Sequence, residues 1–79
     1  VYPARSRQYN EQGRVVVLVW VNAEGGADKV TLERSSGYAR LDEAALAAVR
    51  QWRFIPARQG EVSLAGWLHV PVLFRLEGP

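Results

Sequence analysis

The run Val15-Val16-Val17-Leu18-Val19-Trp20-Val21 constrains this chain more than any other feature. Seven residues pass without a polar interruption, far short of the ~20 apolar residues a membrane-crossing helix needs. Branched valines dominate the run, and their stiff side chains suit a pleated strand better than a helix. In a strand, 15, 17, 19 and 21 would face one way and 16, 18 and 20 the other. A strand apolar on both faces belongs in the middle of a sheet. The rest of the chain must therefore supply neighbours on both sides and a cover for at least one face.

The flanking sequence can do this. Pro3 stands at a plausible first helical position, so the Tyr2 to Gln8 region predicts a short helix that ends before Gly13. The central strand is expected from Arg14 to Asn22. Ala23-Glu24-Gly25-Gly26 offers the positive-φ residues of a hairpin. From Asp28 to Ser35, Val30 and Leu32 alternate with Thr31 and Glu33, the mark of a half-buried antiparallel strand. After the turn Ser35-Ser36-Gly37, the region Leu41 to Arg53 predicts a long helix. Leu41, Ala45, Ala48, Val49 and Trp52 fall on one apolar stripe, which would pin the helix to the sheet through Trp52 and Phe54. Asp42 and Glu43 in the first turn, with Arg50 and Arg53 in the last, match the macrodipole. Pro56 forbids continuation. A polar segment from Ala57 to Ser63 then leads to a last strand, about Ala65 to Leu76.

The order is helix, strand, strand, helix, strand, and the fold class is α+β with a three-stranded antiparallel sheet. The last strand is expected beside the first. Residues 1–79 are read as one domain. One long helix cannot cover both faces of three strands. Leu18, Trp20, Trp67 and Leu73 are expected to form a semi-exposed patch on the uncovered face.

Composition narrows the function classes. The formal charge is +2, from ten basic residues against eight acids, and the arginines are interleaved with Glu and Asp along the chain. Nucleic-acid binders gather their charge on one face or arm, so that class is disfavoured. There is no cysteine and a single histidine, His69. Neither a Cys–His nucleophile nor a cluster of histidine and cysteine metal ligands can be built from that set. Ser35 and Ser36 lack the glycines on both sides that a nucleophile elbow needs. Asp42 and Glu43 are adjacent on a helix and point apart. Gly25-Gly26 lies in a hairpin without a following helix to hold phosphate. The expectation is a non-enzymatic domain with no cofactor and no metal.

Pro71 sits in the middle of the last strand. Proline brings no N–H to a ladder, so it belongs on an edge with its nitrogen turned from the paired neighbour. His69, Leu73 and Arg75 then share its outward parity, and 68, 70, 72 and 74 pair inward. Such an edge is either merely protected by its proline or a docking site for an extended peptide.

These motifs together resemble the TonB C-terminal domain family. The resemblance rests on Tyr2-Pro3-Ala4, Gly13 before the valine strand, Gly25/Gly26, Ser35-Ser36-Gly37 and Leu41-Asp42-Glu43-Ala44-Ala45-Leu46. It also rests on Trp52-Arg53-Phe54-x-Pro56-Ala57 and Val70-Pro71-Val72-x-Phe74, and it spans nearly the whole chain in order. It implies a two-helix, three-stranded domain in the periplasm of a Gram-negative bacterium, belonging to an inner-membrane-anchored energy transducer. An N-terminal membrane helix and a proline-rich spacer would lie outside these residues and engage the ExbB/ExbD motor. The domain would bind the TonB box of outer-membrane receptors as a strand added along Trp67, His69, Val70, Pro71, Val72, Leu73 and Arg75. Tyr2 and Pro3 would contribute from the N-terminal segment. The alternatives are a TolA-like envelope-coupling domain and a homodimer built on the sheet edge and the Trp20/Trp67 patch.

Overall fold

A computed structural model describes residues 2–76. Its elements are α1 (Ala4–Gln8), β1 (Gly13–Val21), β2 (Ala27–Arg34), α2 (Ala39–Arg50), β3 (Ala57–Gln59), β4 (Val62–Leu64) and β5 (Gly66–Phe74). The expected α+β architecture is present. A three-stranded sheet runs in the order β2-β1-β5 with both pairings antiparallel, so the valine strand is central.

β1 pairs with β5 without interruption from Gly13↔Phe74 to Val21↔Gly66. Its pairing with β2 slips twice, between Val16 and Val17 and between Trp20 and Val21. Alternation decides the faces. Val15, Val17, Val19 and Val21 are buried, whereas Val16, Leu18 and Trp20 are half-buried. The buried set meets Leu41, Ala45 and Val49 of α2, with Val70 and Phe74 of β5, in a single core. Each valine, leucine or phenylalanine side chain taken from water contributes about 1.5–3 kcal/mol.

α2 packs across β1 and β2 rather than over β5. As a result Leu68, on the core side of β5, remains 42% exposed. The far end of β5 is covered by the N-terminal segment instead. The Tyr2 ring stands edge-on to Phe74 at 5.2 Å, and its hydroxyl donates to the Glu11 carbonyl. Ser6 of α1 is fully buried and donates to the Glu11 carboxylate at 2.7 Å, which Arg40 of α2 reaches at 3.3 Å.

Three boundaries differ from the sequence expectation. α2 ends at Arg50, and Trp52 lies beyond it, 44% exposed and tilted against Phe54 rather than pinned to the sheet. The cause is tertiary: the Phe54 N–H donates to the Gly25 carbonyl of the β1–β2 turn at 2.8 Å, which draws the chain out of the helix. Phe54, not Trp52, reaches the core. The polar segment is a small hairpin, β3 with β4, turning at Gly60 (φ 62°). β5 stops at Phe74, because β1 offers no partner before Gly13. Arg75 lies just past the strand, and the Leu76 N–H is taken by the Gln12 side chain at 3.0 Å.

Candidate functional site

β5 hydrogen-bonds to β1 along one side, and among the described residues no strand pairs with its other side. Pro71 is at the centre of this strand, opposite Val16. An antiparallel strand turns the N–H and C=O of alternate residues toward the same neighbour. A β1–β5 ladder that keeps all its bonds therefore has Val16↔Pro71 as a non-hydrogen-bonded pair. Trp67, His69, Pro71 and Leu73 then present carbonyls to the open side, and all but Pro71 also present an N–H. Leu68, Val70, Val72 and Phe74 bond inward to β1.

The same parity sets the faces. Val70 and Phe74 are buried and Val72 is half-buried against the core. Trp67, His69, Pro71 and Leu73 project from the opposite, helix-free face, where Trp67 is 53% and Leu73 61% exposed. Trp67 lies opposite Trp20, with the rings edge to face at 5.0 Å. His69 lies opposite Leu18, and its Nδ1 reaches across the central strand to Glu33 Oε2 of β2 at 2.6 Å. This contact is an ion pair when the imidazole is protonated and a neutral N–H···O bond otherwise. Both side chains are substantially solvated, so it contributes at most about 1 kcal/mol.

The structure thus brings six of the seven expected edge residues together on one strand, with Trp67, His69, Pro71 and Leu73 turned to the open side and Val70 and Val72 turned to β1; Arg75 stands beyond it. Tyr2 and Pro3 lie at the start of α1, near the Phe74 end of that strand, with the Tyr2 ring occupied against Phe74. The His69–Glu33 contact was not legible in the sequence. It depends on the register of three strands and on the β1–β2 slip beside Val16.

A second polar knot lies away from the edge. Asp42 is buried in the first turns of α2 and faces back to the preceding turn. It accepts from the Ser35 hydroxyl, from the Ser36 N–H at 2.9 Å and from the Ser36 hydroxyl at 2.8 Å. Burial pushes its carboxyl up, but these bonds prevail and hold it below the ordinary aspartate value. The arrangement is a brace for the turn.

By fold, this is a small α+β domain in which a hairpin, a crossing helix and a returning strand form a sheet with one helix-free face and, among the described residues, no strand beyond β5 or β2. Residues 1–76 match the family described as Gram-negative bacterial TonB protein C-terminal. The chain is 39% identical over 75 residues to "Protein tonB2" of Pseudomonas aeruginosa, covering 95% of this chain and 28% of that protein. It is 39% identical over 77 residues to "Protein TonB" of Vibrio cholerae, covering 98% and 32%. It is 37% identical over 75 residues to "Protein TonB" of Xanthomonas campestris pv. campestris, covering 95% and 34%. This chain belongs to the TonB C-terminal domain family. It spans about a third of the length of these relatives.

Proposed function

We propose that residues 1–79 form the single C-terminal periplasmic domain of a TonB-type energy transducer. In this reading the domain binds the TonB box of outer-membrane receptors and transmits energy derived from the proton-motive force for nutrient uptake. The transducer is anchored in the inner membrane and coupled to the ExbB/ExbD motor through its N-terminal region. Among the described residues, no helix is long and apolar enough to cross a membrane. The domain's own part is to grip, and it needs no catalytic group, cofactor or metal.

The observation that carries the reading is the open side of β5. An extended receptor segment laid there forms a fourth strand, with main-chain bonds supplying affinity and alternate side chains supplying selectivity. Trp67, His69, Pro71, Leu73 and Arg75 face the added strand through their main chain or lie at its end, while the Val70 and Val72 side chains hold β5 to the core.

 Tyr2 and Pro3 add contacts at the Phe74 end of the strand. Pulling along the ladder loads several hydrogen bonds at once, which suits a grip that must carry force.

The test is a titration of the ¹⁵N-labelled domain with synthetic TonB-box peptides. Shifts concentrated from Trp67 to Arg75 support the reading, and a folded monomer that shows none with any peptide removes it. Leu73→Pro deletes a second outward donor. The expected loss is one net hydrogen bond, about 0.5–1.5 kcal/mol, or roughly 2- to 10-fold in Kd. Unchanged affinity in a folded Leu73→Pro domain would sink the edge assignment.

A further inference from the structure

The helix-free face of the sheet has a composition of its own. Its floor is Val16, Leu18 and Trp20, all half-buried, continued by the more exposed Trp67 and Leu73. Around this floor stand Arg14 opposite Leu73, Lys29 opposite Trp20, and Arg34 opposite Val16. All three are exposed, and among the described residues none of them makes an ion pair. The carboxylate on the face, Glu33, is held by His69. Glu33 and Arg34 flank Val16 in a shallow recess. The face is therefore apolar at its Trp20 and Trp67 end, crossed beside Leu18 by the His69–Glu33 bridge, and cationic at its margin.

Size and charge narrow the occupant. Strands of nine residues at about 3.3 Å per residue give a length of ~30 Å, and three strands at ~4.8 Å spacing give a width of ~14 Å. The resulting ~400 Å² is about half of the ~800 Å² that each partner buries in a stable complex. A second copy laid face to face would also bring Arg14, Lys29 and Arg34 against cations of the same kind. A lipid surface would draw the Glu33 carboxylate toward hydrocarbon, where it is costly. A single polypeptide segment fits better: a helix is ~10 Å across with its side chains, and 18 residues span ~27 Å.

We infer that this face docks an acidic amphipathic segment of a partner protein, with apolar side chains on Trp20 and Trp67 and carboxylates against Arg14, Lys29 and Arg34. Trp67 is common to both sites, but strand docking uses the main chain of the β5 edge whereas the acidic segment uses side chains of the face, and Lys29 and Arg34 lie on β2, away from that edge.

The test uses the whole labelled chain and two synthetic 18-residue helical peptides. Both carry one leucine stripe; glutamates flank it in the first, and lysines replace them in the second. The glutamate peptide is expected to move the indole signals of Trp20 and Trp67 while leaving that of Trp52 in place. Raising salt from 0.05 to 0.5 M should weaken binding. The surface double variant Lys29→Glu/Arg34→Glu should weaken it at least tenfold. Equal binding of the lysine peptide, an unaffected double variant, or no indole shift with either peptide would overturn the inference. So would a concentration-dependent dimer in light scattering that Trp67→Ala abolishes, which would assign the face to a second copy. Indole shifts with phosphatidylglycerol vesicles but not with the glutamate peptide would assign it to a membrane and overturn it equally.

Discussion

Asp42 shows how one residue can serve a role that its position in the chain does not announce. Placed near the start of α2, it reads as a charge for the helix dipole, and that reading is sound as far as it goes. Its burial and its bonds to Ser35 and Ser36 add a larger task, fixing the turn that leads from β2 into the helix. Burial raises its carboxyl, the hydrogen bonds lower it, and the net direction is down from 3.8. A depressed carboxyl gives stability that is fully present above the unfolded value, near 3.9, and is lost as pH falls through the folded one. Asp42→Asn should therefore cost about 1–3 kcal/mol at neutral pH. The gap to the parent should close as the pH drops below about 4. Urea midpoints of the two proteins at pH 7 and pH 3 check this, and an equal gap at both would refute it. Ser35, Ser36 and Asp42 were each visible as turn or helix residues. Their convergence was not, since a hydrogen bond across seven residues leaves no periodic trace.

At the scale of elements, the sequence was most informative where one face had to be buried. The valine strand and the stripe Leu41, Ala45, Val49 stand where periodicity puts them, because a slip of one residue would turn a buried side chain to water. Element ends were less legible, and Gly25 explains one of them. Its φ is 90°, and a Cβ built on it would lie 2.2 Å from the Phe54 carbonyl oxygen. The hairpin tip thus receives the chain leaving α2, so the helix stops at Arg50 although its apolar stripe continues to Trp52. A pattern read along one segment cannot register a competitor for its backbone that lies 29 residues away, as Gly25 does from Phe54. Gly25→Ala combines left-handed strain with this clash and should cost about 2 kcal/mol or more. Gly60→Ala, at φ 62° in open space, should cost only about 1–2 kcal/mol. Thermal melts of the two variants test the contrast. Faster hydrogen exchange at the Phe54 amide should accompany the Gly25 change alone.

For the whole molecule, the open edge sets two demands against each other. A strand with free N–H and C=O groups can take up a receptor segment, and by the same chemistry it can take up another copy of itself. The strand order and the proline at the middle of β5 were both legible in the sequence, because a doubly apolar strand must be central and a proline must avoid the ladder. The helix-free face was legible as apolar, but its His69–Glu33 bridge and its cationic margin needed the register. Pro71 removes one outward donor where a uniform edge would have it, which weakens any added strand, wanted or not. Pro71→Val restores that donor and adds a residue favoured in strands. The expected gain for a TonB-box peptide is one net hydrogen bond, about 0.5–1.5 kcal/mol, or roughly 2- to 10-fold tighter binding. The same variant should self-associate at lower protein concentration than the parent. Peptide titration and light scattering, run on one preparation, measure both effects. A variant that gains neither affinity nor self-association would mean that the proline nitrogen faces β1 rather than the open side. A variant that self-associates without gaining affinity would mean that the edge is exposed but receives no receptor strand, and the docking site would have to be sought elsewhere on the domain.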